Sequence, residues 1–266
     1  MRRVNAFIHR NFLEILRDPV IYVFCIGFPV VMLLLFFVIH SFTADNTPVF
    51  SMPSLVPGII VFSLSFLMLT LALLVSKDHA SAFLTRLYIS PMKSWEFVLG
   101  YLVPALLVGA LQIFVCLLFG AGLSLFGEDG YFTFARAILC GVQALPTLFF
   151  FAFMGIGIGT AFSEKAAPAI CSVLISAAGV LSGAWMPLDA MGAFETVCQI
   201  LPFYPAVLLG RITTGALHSY PDQTGLALLP YTFDKDAWFA ILAVALWLFA
   251  AMAFATLAFL RKRRAK

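Results

Sequence analysis

The stretch LVPGIIVFSLSFLMLTLALLVS, residues 55–76, holds no charged side chain and runs straight into Lys77-Asp78-His79. A helix rising 1.5 Å per residue needs about 20 apolar residues to cross a hydrocarbon core of about 30 Å, and this stretch meets that length. Water has no use for such a segment, and lipid tolerates it only if every backbone polar group is paired within it. The segment therefore predicts a membrane-spanning helix, and the rest of the chain repeats the pattern.

Apolar residues make up 62% of the chain and charged residues 11%. A soluble domain has roughly half and a quarter. Outward from residues 55–76, further uncharged runs cover residues 20–39, 97–126, 137–162, 167–187 and 237–260. The expected fold is an all-α membrane protein with six transmembrane helices in a single domain, 1–266. Pro29 is placed to kink the first span. The run 97–126 is too long for a straight crossing, which predicts tilt or an extension beyond the membrane. Residues 1–18 place Val4, Phe7, Ile8, Phe12, Ile15 and Leu16 on one helical face, with Arg2, Arg3, Arg10, Glu14 and Arg17 left for the wet side. Such a helix lies in the membrane interface. Between the fifth and sixth spans, residues 188–236 hold an apolar patch, Val197 to Leu209, broken by Pro202 and Pro205. It is too short and too broken to cross, which predicts one or two short re-entrant or interfacial helices in an external segment. The first apolar run lacks a small-residue cleavage motif, so no cleavable signal peptide is expected.

Loop charges set the orientation. With the N-terminus inside, all of the 16 Lys plus Arg fall inside except Arg136, Arg211 and Lys235. That bias predicts both termini in the cytoplasm. The basic residues flank apolar runs and form no groove, so no nucleic-acid partner is expected.

Enzyme chemistry finds little support. The five cysteines form no CxxC or Cys/His cluster, and the histidines at 9, 40, 79 and 218 have no partner at metal or catalytic spacing. Gly155-Ile156-Gly157-Ile158-Gly159 lies inside an apolar run, follows no strand and has no Lys-Ser/Thr partner, so close helix packing is the better reading than nucleotide binding. The spans lack central acidic residues, which argues against a proton-coupled carrier or ion channel. Gln112 and Gln143 are the notable polar residues inside spans. Interhelical hydrogen bonding is one role for them, and contact with a substrate path is the other. No bound metal or cofactor is expected.

The cytoplasmic loop, 77–94, is the most informative segment. Phe83, Leu84, Leu87 and Tyr88 fall on one helical face, and Pro91 stops the helix. Within it, Asp78, Leu87 and Ser90-Pro91 resemble the pattern Glu-x-x-x-Gly-Thr-x-x-x-Leu-x-x-Ser/Thr-Pro of ABC-2-type transporter permeases. Ala82-Phe83 stand where that family has Gly-Thr, and Thr85 where it often has an acidic residue. Ser182-Gly183-Ala184-Trp185-Met186-Pro187 is similar to the family's Ser-Gly-x-x-x-Pro. Leu201-Pro202-Phe203-Tyr204-Pro205, followed by Arg211 and Gly215, is similar to its Leu-Pro-x-x-Tyr segment.

The resemblance implies a permease subunit of an ABC exporter in the cell inner (plasma) membrane, paired with a second copy or a sibling permease. It implies a separate ABC ATP-binding subunit carrying ATP and Mg. A nucleotide-hydrolysing domain needs roughly 200 residues, which six spans leave no room for. ATPase coupling would then fall to Asp78, Phe83, Arg86, Leu87, Tyr88, Ser90 and Pro91, with the 1–18 helix as a second contact. A mostly apolar and aromatic path suits a drug, antibiotic or lipid-like substrate. Polysaccharide or lipid-linked glycan export is an alternative within the same family. Outside it stand a membrane-embedded lipid enzyme and a structural protein that regulates a partner.

Overall fold

The computed structural model describes residues 2–43, 50–81, 94–126, 132–186, 188, 191–222 and 225–264. Helix α1, Arg2–Arg17, is followed by a single turn, Pro19–Ile21, a π-helical segment, Tyr22–Gly27, and α2, Phe28–Thr43. Then come α3, Met52–Ala80; α4, Ser94–Ser124; α5, Phe134–Ala161; and α6, Ala166–Leu181. Short helices α7, Ala193–Ile200, and α8, Phe203–Thr214, precede strands β1, Leu217–Asp222, and β2, Gly225–Pro230; α9, Lys235–Arg264, ends the fold.

Among the described residues, five helical stretches have the length and apolar character to cross a membrane: Tyr22–Phe42, Met52–Ala80, Trp95–Ser124, Phe134–Ala161 and Lys235–Lys262; the bent pair Ala193–Ile200 and Phe203–Thr214 makes a sixth if it is counted as one broken span. The expected fifth span, 167–187, is shorter than the sequence suggested. Its helix stops at Leu181, and 16 residues rise only about 24 Å. Gly183, at φ 65°, ends it, because a left-handed residue cannot continue a right-handed helix. Even so α6 runs the height of the bundle. Glu164 just before it lines a cleft with α1, while Gly183 just after it meets the start of α3 through Arg211.

The π-helical segment has a visible cause. Pro29 has no N–H to give and its ring crowds the carbonyl four residues back, so the turn before it widens. The Phe28 amide accordingly reaches back to the Val23 carbonyl. The expected kink is thus absorbed as a bulge.

Helix α3 is the axis of the fold. Within its most apolar stretch 89% of the residues are buried, against 17–44% for the other four. It packs most extensively on α5, then on α4, α6 and α8. Glycine makes the α3–α5 contact possible. A Cβ on Gly155 would lie 2.6 Å from the Met68 carbonyl oxygen, and one on Gly159 would lie 2.6 Å from that of Ala72. Gly157, on the other face, lies against the Phe254 ring of α9. The glycines at 155, 157 and 159 therefore serve close backbone packing, as their apolar context suggested.

In the segment 188–236, α7 and α8 form the expected short helices, bent by 94° between them. Beyond these helices the segment adds a hairpin, for which the sequence patterning sets no expectation. β1 and β2 pair antiparallel, from Leu217 opposite Pro230 to Asp222 opposite Gly225. The Tyr231 amide closes the base of the hairpin on the Ala216 carbonyl at 3.0 Å. Pro221 and Pro230 each lack the N–H that a helix interior needs, which disfavours a helix here.

Candidate functional site

Both chain ends lie at one end of the bundle. His79 at the end of α3 faces Phe259 of α9, ring centroids 6.2 Å apart, and Lys262 Nζ donates to the Thr160 carbonyl at the end of α5 at 2.6 Å. Helix α1 covers the same end. This is the end that carries most of the basic residues.

Helix α1 is fastened there by a polar clasp. Arg10 donates through Nη1 and Nη2 to the two carboxylate oxygens of Asp78, at 2.6 and 2.8 Å. Tyr101 Oη of α4 donates to Asp78 Oδ2 at 2.7 Å. The side chain of Asp78 is 3% exposed and that of Arg10 is 36% exposed, so a buried carboxylate meets a cation with one side in solvent. The hydrogen bonding of Arg10 to Asp78 is the first cause that raises the Arg10 pKa above its ordinary value, with burial opposing it. The cation therefore persists at every working pH. Arg10 also pairs with Glu14 at 2.6 Å, and Lys77 approaches Glu14 at 3.6 Å.

Apolar packing completes the clasp. Phe7 meets Tyr101 and Phe97 edge to face, with centroids 5.1 and 6.3 Å apart. Gly100 makes room for the Phe7 ring, since any Cβ there would overlap it. Asn11, fully buried, donates its amide to the Gly100 carbonyl at 3.0 Å. The buried face of α1 is thus Phe7, Asn11 and Ile15, and it rests on α4.

Between α1, the start of the first span and the end of α3 lies a cleft of ≈1170 Å³. His9, Glu14, Arg17, Asp18, Lys77 and Glu164 give it mixed charge, and Leu73 and Leu74 form an apolar floor. Toward the membrane interior the floor continues along α3. Phe66, Leu69 and Leu73, spaced at three and four residues in its inner half, remain incompletely buried. Phe66 and Phe62 belong to an aromatic ladder with Phe24, Phe28 and Trp185, at centroid distances of 4.8–5.6 Å.

The opposite end has its own lock. Arg211 of α8 is 1% exposed. It donates Nε to the Ser54 carbonyl at 3.3 Å and Nη2 to the Gly183 carbonyl at 2.6 Å, and lies 5.9 Å from the Tyr231 ring centroid. Its Nη1 has no hydrogen-bond partner among the described residues. Thr214 adds a bond to the Pro53 carbonyl at 2.6 Å. Gly215, at φ 72°, ends α8, and the Ala216 amide returns to the Arg211 carbonyl at 2.9 Å.

Of the expected coupling residues, Asp78 is placed, and it faces inward to Arg10 and Tyr101. Phe83, Arg86, Leu87, Tyr88, Ser90 and Pro91 lie outside the described residues. Gln143 Nε2 donates to the Ala206 carbonyl at 3.2 Å, which is interhelical hydrogen bonding. Gln112 is 1% exposed, and its amide has no hydrogen-bond partner among the described residues. Neither lines the cleft beside α1. Arg10, Asn11 and Tyr101 were not foreseen. Asn11 offered a signal, since it sits four residues from both Phe7 and Ile15, a polar side chain in a buried stripe.

Among the described residues no group of His, Cys, Asp or Glu is arranged to hold a metal ion. All five cysteines are free and buried, Cys198 of α7 included. A comparison with curated proteins finds no match. The family model described as ABC-2 type transporter matches residues 2–213, from α1 through nearly all of α8. With that match over most of its length, on a multi-pass helical membrane fold, the chain belongs to the ABC-2 type transporter family and is a permease.

Proposed function

We propose that this permease is the membrane subunit of an ATP-driven exporter, and that a separate ATP-binding subunit docks at the basic end. The carrying observation is the Arg10–Asp78–Tyr101 clasp. It joins α1, the last turn of α3 and the first turns of α4, and α3 and α4 are the helices on either side of residues 82–93 in the sequence. A push on that loop therefore loads two spans and α1 together. The charge bias puts this end in the cytoplasm, where ATP and Mg are available to the partner. The mixed-charge cleft of ≈1170 Å³ beside α1 offers a docking partner both signs of charge and an apolar floor.

ATP-driven closure of two such partners would bias a pair of permeases between two packings. Substrate moves because its affinity differs between them. The aromatic ladder and the half-buried strip on α3 favour a substrate with a flat apolar body, such as a drug, antibiotic or lipid-like molecule.

The test is co-purification of the tagged chain with candidate ATP-binding subunits under mild extraction, followed by ATPase and export assays. A complex weakened by Arg86→Glu and Leu87→Asp is the expected result. Full docking and export by both variants would remove the loop from the mechanism. A chain that binds no ATP-binding subunit would overturn the exporter reading itself.

A further inference from the structure

The basic end holds two clefts of different charge. The one beside α1 mixes Arg17 and Lys77 with Glu14, Asp18 and Glu164. The other, ≈440 Å³, lies between the ends of α5 and α9. Its walls are Phe254, Leu257 and Ala258, its floor is Thr160 and Ala161, and its rim is Arg261 and Lys262, with no acidic residue among them.

The fold creates this second cleft in a simple way. At Gly157 the two helices touch, with the ring of Phe254 lying on the glycine. One turn further on α5 ends, while α9 continues to Arg264. Lys262 is engaged with the end of α5, where its charge meets the helix's terminal carbonyls. Arg261 is exposed and has no hydrogen bond or ion pair among the described residues. It follows Leu257 by one turn on the same face, about 6 Å along the axis. Leu257 is 55% exposed, and only 22% of the apolar stretch of α9 is buried, so the rest of the chain leaves this side open. Apolar wall and cation thus sit at successive depths, as acyl chain and headgroup do in a bilayer. The sequence adds Arg263, Arg264 and Lys266 beyond the cleft.

We propose that this cleft binds one anionic phospholipid, with the phosphate at Arg261 and an acyl chain along Leu257 and Phe254. Basic clefts between spans at the polar boundary select anionic headgroups. A zwitterionic lipid would bring its own ammonium toward the same cations. The inference is independent of the ATPase partner and the exported substrate.

The experiment is native mass spectrometry of the full chain in detergent, titrated with phosphatidylglycerol or phosphatidylcholine. A phosphatidylglycerol adduct is expected, about five-fold weaker in Arg261→Gln, since a Lys or Arg near the surface contributes that much. Ala258→Trp fills the cleft without changing any charge and is expected to weaken the adduct as well. Lys235→Gln, at the other end of α9, is expected to bind like the wild type. Equal retention of phosphatidylcholine, wild-type binding by Arg261→Gln, or wild-type binding by Ala258→Trp would each overturn the proposal. The last would assign the adduct to the basic tail rather than the cleft.

Discussion

Arg10 and Asp78 lie 68 positions apart in sequence, yet their side chains close a two-bond fork that ties the first helix to the last turn of the central one. The carboxylate is buried, and Tyr101 supplies a third bond from α4. Removing the carboxylate takes that acceptor from the buried Tyr101 hydroxyl and leaves Arg10 to Glu14 and solvent. Asp78→Ala is expected to lower thermal stability in detergent, by about 1–3 kcal/mol. A double-mutant cycle of Asp78→Asn with Arg10→Met is the sharper measurement. Coupling of about 1–2 kcal/mol is expected for a half-exposed charged pair, and additive effects would show that the fork contributes nothing.

The approach of α5 to α3 leaves no space for side chains at 155 and 159. Gly159→Val is expected to destabilise the fold by about 1–3 kcal/mol, because the new Cβ meets backbone that cannot swing away. Gly122→Ala serves as the contrast, since nothing lies within 4 Å of a Cβ there. Thermal unfolding followed by size-exclusion chromatography separates the two. Equal Tm values would refute the close approach.

At the opposite end, Arg211 bridges the start of α3 and Gly183, two residues beyond the end of α6. Arg211→Met keeps the bulk and removes the donors, leaving the Gly183 carbonyl without that bond. A loss of about 1–3 kcal/mol is expected. Arg211→Lys should recover only part of it, because a point charge does not reach two carbonyls as a planar fork does. Full recovery by lysine would mean that charge, and not the fork, holds the end together.

Lys77 is largely exposed in the cleft beside α1, and among the described residues its side chain makes no tie beyond its 3.6 Å approach to Glu14. Lys77→Glu should leave the Tm unchanged and weaken binding of the ATP-binding subunit, roughly tenfold if the cleft is a docking surface. Unchanged binding, measured by surface plasmon resonance on the detergent-solubilised chain, would move the docking surface elsewhere.

Much of this architecture was legible in the sequence because lipid imposes a length on any crossing. The run 55–76 became α3, and the runs after Phe97, Ala137 and Ala237 became α4, α5 and α9. The glycines at 155 and 159 were legible because an apolar run has no other use for them. What was not legible depends on pairing across distance. Nothing local marks Asp78 as the partner of Arg10, or Tyr101 as the third member. The end of α6 was hidden because Gly183 continues an apolar run and only its backbone angle stops the helix. The hairpin was hidden because its strands are short and weakly patterned.

The central position of α3 bears on biosynthesis. It leaves the ribosome before α4, α5, α6 and α8, and those helices cover nearly all of its surface in the finished protein. Lipid tails are as apolar as its own side chains, so they shelter it until its neighbours arrive, and no hydrophobic force hurries the exchange. A chain halted after α3 would therefore insert and persist in the bilayer. The step that completes the fold is the replacement of lipid by the glycine face of α5, and the order of synthesis delays it until the fourth crossing.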